Sequence, residues 1–216
     1  MIADNLSAVR DRIAKCCEKT GRPADSVRLV AVTKQATVAQ MEEAIKAGAV
    51  VFGENRVQDA IAKYSAIGSA AEWHLIGHLQ TNKVRDAVRI FSLIHSVDSL
   101  KLAQAIDKEA CKIQKRQKIL IQVSTSGEES KFGISPGELP DFIREASDYP
   151  NIIIEGLMTI APAAEDPEAV RPYFRALKEL IDKTDYHTLS MGMTDDFEAA
   201  IEEGATLVRV GRAIFS

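Results

Sequence analysis

The chain has 216 residues, of which 46% are hydrophobic and 6% aromatic, as is typical of one soluble domain with a sizeable core. Its 27 basic and 31 acidic residues give a formal net charge of -4, which argues against non-specific binding to nucleic acid. No apolar run approaches the roughly 18 residues that span a bilayer, and residues 1–21 lack a signal-peptide core, so we expect a cytoplasmic protein without membrane contact.

Eight short apolar runs, separated by amphipathic stretches, follow an N-terminal helical pattern. This helix is predicted over about Ile2 to Lys19, and Gly21 and Pro23 end it. Apolar runs without alternating polar positions are typical of strands that are covered on both faces, as in a parallel sheet. The predicted strands are Val27 to Thr33, Val50 to Gly53, Trp73 to Gly77, Leu93 to Val97, Ile119 to Val123, Ile152 to Ile160, Thr188 to Met191 and Leu207 to Val210.

Start signals for helices lie between several of these runs. A helix begins favourably where a Ser, Thr or Asp side chain accepts from the first turn, or where proline occupies that turn. The signals are Thr37 with Gln40, Ser135 with Pro136 and Glu138, Asp166 with Pro167, and Asp195 with Glu198; Gly48 and Gly204 can close the first and last of these helices. The order is therefore strand then helix, repeated.

This repeat predicts the fold. Eight such units without a proline-rich linker predict a single domain over residues 1–216, a (β/α)8 TIM barrel with an extra N-terminal helix. An open doubly wound sheet is the alternative, but no GxGxxG motif follows the first strand to favour a dinucleotide site. In a barrel, residues that carry chemistry gather after the carboxyl ends of the strands.

Lys34 directly follows the first predicted strand. A lysine anchored there and partly desolvated would lose its proton more readily and could attack a carbonyl to form a Schiff base. The alternative is a solvated surface lysine, which is the usual state of a lysine after a strand. Lys83 and Lys131 are interpreted as solvated charges, with ligand contact by Lys131 as the alternative, because it follows strand five in a loop of Ser, Gly and Glu.

The loops after the last two strands have the features of a phosphate site. Barrels commonly hold phosphate there with backbone N–H groups and the start of a short helix. Ser190 can donate a hydroxyl, and Gly192 and Gly211 let the backbone approach an anion closely; the alternative is that both glycines serve tight turns. A Schiff-base lysine across the barrel from a phosphate site is the arrangement that pyridoxal 5'-phosphate (PLP) requires.

A series of motifs resembles those of the pyridoxal phosphate homeostasis proteins. The motifs are Leu29–Lys34, Phe52–Asn55, His74–Lys83, Ser130–Gly133, Gly156–Ile160, Leu189–Asp196 and Val208–Phe215. They recur in the family's order and spacing over nearly the whole chain, and Thr194 stands where the family often has serine. The resemblance implies a barrel of the alanine-racemase N-terminal type that binds PLP. It also implies a role in cofactor homeostasis and amino-acid balance, without an established reaction.

The resemblance further implies a role for each site residue. Lys34 would carry PLP as a Schiff base, Asn55 would lie beside the ring, and Arg209 would face the pyridine nitrogen. Because a guanidinium has no acceptor, Arg209 would keep that nitrogen unprotonated and weaken the ring as an electron sink. A structural role for Arg209, in stacking or pairing, is the alternative. The phosphate would be held by Ser190, Gly192, Gly211 and the N–H of Arg212.

Two classes of function fit these residues. The first is a non-catalytic regulatory or carrier protein, expected to be a monomer, with PLP-dependent enzymes as recipients of the cofactor. The second is an enzyme: a PLP-dependent amino-acid racemase or decarboxylase, or an aldolase that uses Lys34 directly on a phosphosugar. We favour the first class, because related racemases take a second acid or base from an added domain for which this chain leaves no segment.

No metal site is predicted. His74 and His78 lie at either end of the third predicted strand, and four residues of strand separate them by roughly 13 Å, too far to share an ion. Cys16, Cys17 and Cys111 are odd in number and fit neither a disulfide framework nor a paired zinc site.

Overall fold

Eight parallel strands close into a barrel in the computed structural model, which describes residues 1–127 and 132–216. The strands are β1 (Arg28–Val32), β2 (Val51–Glu54), β3 (Glu72–Leu75), β4 (Leu93–Val97), β5 (Gln117–Gln122), β6 (Ile152–Met158), β7 (Thr188–Met193) and β8 (Leu207–Val210). Each strand pairs with its neighbours in chain order, and β8 pairs with β1. The eight predicted strands and the predicted (β/α)8 barrel are therefore confirmed, and the open doubly wound sheet is excluded.

Helices surround the barrel and connect its strands. They are α1 (Ile2–Lys19), α2 (Val38–Lys46), α3 (Val57–Ile67), α4 (Val84–Ile90), α5 (Leu100–Lys112), α6 (Leu139–Ala146), α7 (Arg171–Ile181), α8 (Phe197–Glu202) and α9 (Arg212–Phe215). Short 3-10 turns lie at Ala24–Ser26, Gly68–Ala70, Thr81–Lys83, Pro136–Glu138 and Pro167–Val170. None of the helices in the two described ranges has the length and apolar character of a membrane span.

The predicted N-terminal helix completes the ring of helices. α1 has the predicted bounds, buries Leu6, Val9 and Ile13 on one face, and packs against α2, α8 and α9. The helix after β8 is only four residues long. The 18-residue α1 therefore covers the barrel wall between the helices that follow β7 and β1. Asn5 Nδ2 donates to the carbonyl oxygen of Ile214 at 3.1 Å, which joins α1 to the end of the chain.

Three of the four predicted helix starts are confirmed. Thr37 and Gln40 form a reciprocal capping box, and so do Ser135 and Glu138. The Asp166 side chain accepts from the first turn of its 3-10 turn. Two predicted closing residues also adopt the left-handed conformation that is typical of a helix end: Gly48 and Gly204.

The fourth predicted start is wrong. α8 begins at Phe197, and neither of the predicted capping carboxylates caps it. Asp195 pairs with Arg212 at the start of α9, and Glu198 pairs with Arg12 of α1 at 3.0 Å. Both carboxylates meet a cation from a distant part of the chain, which a local sequence pattern cannot reveal.

The inside of the barrel holds its own small group of apolar side chains, distinct from the larger core between the barrel wall and the helices. Its buried members come one from each of seven strands or strand ends: Val30, Val51, Ile76, Leu93, Leu120, Met158 and Leu207. Four buried polar side chains lie among them and hydrogen-bond one another: His74, His95, Ser190 and Arg209. The barrel interior is therefore partly polar.

Candidate functional site

Residues that follow five of the strands come together at the carboxyl end of the barrel. We call this end the mouth and define it by Lys34, Asn55, Gly77, Thr194 and Gly211. A Cβ at Gly77 would lie 2.2 Å from the carbonyl oxygen of Asn55, and a Cβ at Gly211 would lie 3.1 Å from that of Val32. The absence of side chains at these two glycines therefore lets the loops after β1, β2, β3 and β8 approach one another.

Lys34 lies at the mouth, two residues beyond the end of β1, and its side chain is exposed. The preceding residue, Thr33, donates its N–H to the carbonyl oxygen of Gly53 at 3.0 Å and so continues the pairing of β1 with β2. The backbone at the base of the lysine is held in place, and the amine is accessible from solvent. The partial desolvation expected from the sequence is wrong for this structure, because the side chain is exposed.

A buried ion pair lies behind Lys34. Glu54, fully buried at the end of β2, accepts from Thr33 Oγ1 at 2.6 Å and from Lys63 Nζ at 2.7 Å. Lys63 comes from α3 and also donates to the carbonyl oxygen of Thr33 at 2.5 Å. Groups from β1, β2 and α3 thus converge on the residue that precedes Lys34.

A hydroxyl and a backbone N–H face each other beyond β7 and β8. Thr194 Oγ1 accepts a long hydrogen bond, 3.4 Å, from the N–H of Gly211. Arg212 follows at the start of α9, with an exposed side chain that pairs with Asp195. A small anion at this point would meet a hydroxyl and a backbone N–H, which are donors to phosphate.

Ser190 lies well inside β7, which extends to Met193 rather than ending at Met191 as predicted. Its side chain is fully buried, and its oxygen lies 2.8 Å from His95 Nδ1 and 2.6 Å from Arg209 Nη1. A hydroxyl has one proton to donate, and both of these contacts lie inside the barrel. The predicted phosphate contact of this side chain therefore has no support in the structure.

The other predicted site residues have different surroundings. Asn55 is exposed at the mouth, directly after β2. Gly192 lies within β7, where a Cβ would lie 2.5 Å from that of Ala200, so close packing against α8 already accounts for a glycine there. Lys83 is half-buried before α4 and lines a cavity of about 470 Å³ beside the mouth. Lys131 and the first half of its motif lie outside the described residues.

Arg209 is a buried cation whose hydrogen bonds go to neutral groups. Nη1 donates to Ser190, and Nη2 donates to the carbonyl oxygen of Thr159 at 2.9 Å. Burial lowers the pKa of Arg209 to about 10, and the nearby carboxylate of Asp196 opposes this shift. Arg209 lies on β8 and pairs in register with Val30 of the neighbouring β1, the strand that leads to Lys34. Because a buried charge is costly without acceptors, this position suits a ligand that accepts hydrogen bonds.

Two histidines form a buried pair beneath the mouth. His74 Nδ1 lies 3.0 Å from His95 Nε2, and His74 Nε2 lies 3.1 Å from Glu72 Oε1. His74 is inside β3, while His78 follows that strand and lies 3.5 Å from Asp98. Across residues 1–127 and 132–216, no group of three or more His, Cys, Asp or Glu side chains could hold a metal ion.

Comparisons with known proteins identify the family of this chain. A family model, "Alanine racemase, N-terminal domain", matches residues 5–216. A pyridoxal phosphate homeostasis protein of Aquifex aeolicus is 45% identical over 219 residues, which cover 98% of this chain and 96% of the relative. The chain belongs to the pyridoxal phosphate homeostasis protein family.

Solved structures agree with membership of the pyridoxal phosphate homeostasis protein family. PipY of Synechococcus elongatus, solved with PLP bound, is 36% identical, with a TM-score of 0.86 and full coverage of both chains. An alanine racemase of Clostridium difficile 630 is 16% identical, with a TM-score of 0.76, and the match covers 98% of this chain and 56% of the racemase. The second similarity shows the fold alone. The predicted resemblance and the predicted alanine-racemase type of barrel are confirmed.

Sequence reasoning missed three features of this chain. The pairing of His74 with His95 could have been found from the sequence, because each histidine interrupts an apolar strand and the two strands are neighbours. A weaker signal pointed to Thr194, as a hydroxyl directly after β7. No signal pointed to the pairing of Glu54 with Lys63, because a lysine within a helix is ordinarily a solvated residue.

Proposed function

We propose that this protein binds PLP on Lys34 and takes part in cofactor homeostasis and amino-acid balance, without substantial catalytic activity. One observation carries the proposal: the end of β1, with its exposed lysine, lies beside Gly211 and one strand away from the buried guanidinium of Arg209. A reactive amine, phosphate donors and a partner for the ring nitrogen are the contacts that PLP needs. The names of the relatives and the PLP bound to PipY support the same ligand.

The chemistry of the donors at the mouth fits PLP. A phosphate dianion is suited to the Thr194 hydroxyl and the N–H of Gly211, while the pyridine nitrogen is an acceptor suited to a buried guanidinium. Ser190 would act through Arg209 rather than on the phosphate, because its hydroxyl is already engaged inside the barrel. The residues proposed to contact the cofactor are Lys34, Asn55, Gly192, Thr194, Arg209, Gly211 and Arg212.

Lys34 would hold the cofactor covalently. Lys34 Nζ would join the aldehyde carbon of the cofactor as a Schiff base, a condensation that releases one water molecule and needs neither an oxidant nor a reductant. The exposed side chain lets a ligand reach the amine directly from solvent. The ion pair behind Thr33 holds the backbone from which the lysine extends.

Arg209 supports a binding protein rather than an efficient catalyst. A guanidinium donates only, so it would leave the ring nitrogen unprotonated and the ring a weaker electron sink. The exposed position of Lys34 also admits water, which weakens the electrostatic interactions that catalysis depends on. A PLP-dependent racemase or decarboxylase is the alternative, and it would replace this proposal if the wild-type protein turned over alanine at ordinary enzymatic rates.

Borohydride reduction followed by mass spectrometry tests the covalent site. We expect the reduced wild-type protein to carry one pyridoxyl phosphate group on the peptide with Lys34, and we expect Lys34→Ala to lose that group while it remains folded. Lys83→Ala is the matched control, because Lys83 lies at the same end of the barrel and should keep the wild-type adduct. An adduct of equal yield on another lysine in Lys34→Ala would contradict the assignment.

Thr194→Val tests the phosphate contact. The substitution keeps the shape of the side chain and removes a hydrogen bond to a charged group, which is typically worth about 1.5–3 kcal/mol. PLP affinity should therefore fall by roughly ten- to a hundredfold, while pyridoxal, which has no phosphate, should bind almost as before. Thr194→Ser keeps the hydroxyl and should bind PLP as wild type does. Equal losses for both compounds in a fluorescence titration would remove Thr194 from the phosphate.

We further propose that residues 1–216 act as one domain and that the protein is a monomer which supplies PLP to PLP-dependent enzymes in the cytoplasm. The closed barrel supports the monomer, because every strand in residues 1–127 and 132–216 that belongs to the barrel is paired on both sides and offers no edge to a second copy. Light scattering on the PLP-loaded protein measures the assembly state directly. A concentration-independent dimer mass would overturn the monomer.

A further inference from the structure

A chain of hydrogen bonds crosses the inside of the barrel. It runs from Glu72 to His74 (3.1 Å), on to His95 (3.0 Å), to Ser190 (2.8 Å) and to Arg209 (2.6 Å). The histidines come from β3 and β4, and the last two residues come from β7 and β8. Because β4 and β7 are not neighbours in the barrel, the link between His95 and Ser190 spans the interior.

The two ends of this hydrogen-bond chain require the same order of donors and acceptors along it. The hydrogen bond with His74 holds the pKa of Glu72 well below its usual range, so this carboxylate only accepts. His74 must then donate from Nε2 and accept at Nδ1, and His95 must likewise donate from Nε2 and accept at Nδ1. Ser190 is left to donate its proton to His95. At the other end Arg209 can only donate, so Ser190 accepts from it, as this order requires.

Burial keeps both imidazoles neutral, which this order also requires. Burial lowers the pKa of His74, although the hydrogen bond with Glu72 opposes the shift. Burial lowers the pKa of His95 further, helped by the neighbouring His74 and Arg209. A second proton on His74 would turn two N–H groups toward each other, and a second proton on His95 would turn an N–H toward the hydroxyl proton of Ser190. The charged groups that face the pair are Glu72, Arg28, Glu155 and Arg209.

We propose that His95 is a positioning residue which holds Arg209, through Ser190, against the ring nitrogen of bound PLP, with His74 and Glu72 holding the tautomer of His95. This inference rests on the proposed function. Ser190 can anchor Arg209 only while its own proton has an acceptor. A carboxylate bonded directly to Arg209 would neutralise its guanidinium. The hydrogen-bond chain instead holds the guanidinium through the neutral Ser190, and the negative charge of Glu72 lies four hydrogen bonds away.

Three variants separate positioning from simple loss of packing. His95→Phe keeps an aromatic ring and removes the acceptor for Ser190. His95→Asn puts an amide oxygen near the position of Nδ1 and restores that acceptor. Leu120→Ala removes apolar volume from the same interior and leaves every hydrogen bond of the chain intact, so it controls for destabilisation.

The readout is the pH midpoint of the visible absorption band of the PLP-loaded protein. A nearby cation disfavours a second positive charge on the nitrogen that joins Lys34 to the cofactor, so release of Arg209 should raise the midpoint. We expect a rise on the order of one pH unit in His95→Phe. The wild-type midpoint should persist in His95→Asn and in Leu120→Ala, although the latter unfolds at a lower urea concentration.

Several outcomes would overturn the inference. A wild-type midpoint in loaded His95→Phe removes His95 from the positioning of Arg209 and leaves the proposed function intact. If His95→Phe does not fold, Ser190→Ala decides in its place, because it removes the anchor itself and should raise the midpoint in the same way. A wild-type protein with neither a visible band nor a borohydride adduct would refute the proposed function, and this inference with it.

Discussion

Gly156→Ala is expected to destabilise the barrel by more than about 3 kcal/mol, beyond the usual cost of overpacking. Gly156 lies in β6 opposite Thr188 of β7. A Cβ at this position would lie 1.9 Å from the carbonyl oxygen of Thr188 and 2.7 Å from its carbonyl carbon. Both are backbone atoms of a paired strand, so no change of side-chain rotamer relieves the overlap. The two strands must separate, and the hydrogen bonds between them are lost.

Gly137→Ala is the matched control for this substitution. Gly137 lies in the 3-10 turn before α6, and a Cβ there would meet nothing within 4 Å. An alanine at such a position restricts the unfolded chain and should be neutral or stabilise by about 0.4–1 kcal/mol. Urea unfolding followed by circular dichroism measures both variants. A wild-type midpoint for Gly156→Ala would mean that β6 and β7 do not approach this closely.

Lys63→Met is expected to destabilise the protein by about 3–5 kcal/mol, the usual cost of removing one partner from a buried ion pair. Glu54 is fully buried, and Lys63 has only 14% of its side chain exposed. Among the described residues, nothing hydrogen-bonds the second carboxylate oxygen of Glu54, so loss of Lys63 leaves only Thr33 to compensate the charge. The same loss frees the carbonyl oxygen of Thr33, and the backbone below Lys34 should loosen.

Two further variants isolate the buried charge as the cause. Adding Glu54→Gln to Lys63→Met should recover most of the stability, because the amide oxygen still accepts from Thr33 and no charge is buried. Lys178 of α7 forms an exposed ion pair with Asp182, the residue that follows this helix. Lys178→Met breaks the pair and should change the stability by no more than about 0.5 kcal/mol. If Lys63→Met and Lys178→Met had equal effects in urea unfolding, the pair behind Lys34 would be solvated rather than buried.

The strands of the barrel could be predicted because parallel strands are covered on both faces and appear as continuous apolar runs. The end of β7 could not be predicted in this way. Gly192 suggests a turn after Met191, but it lies at an irregularity where the register between β7 and β8 shifts, and the strand continues to Met193. Ser190 therefore lies well inside the strand and in the barrel interior, not at the strand end where a phosphate contact was predicted.

Only those residues of the candidate site that lie just beyond a strand end could be predicted from the sequence. Lys34 lies two residues beyond β1 and Gly211 directly follows β8, so the barrel rule alone brings them together. His95 and Ser190 are 95 residues apart and meet across the barrel interior. No periodicity relates two such positions, and a sequence pattern indicates only that each is buried. The order of donors and acceptors along the hydrogen-bond chain is likewise a property of the assembled barrel.

The contact of α1 with the end of the chain has a consequence for folding during synthesis. α1 is translated before its partners α8 and α9, and the hydrogen bond from Asn5 to Ile214 joins residues 209 positions apart. Until β8 has been made, one edge of β1 has no partner, and α1 can pack against α2 but not yet against α9. The barrel can therefore close only after β8 has been synthesised, because β8 supplies the missing partner of β1.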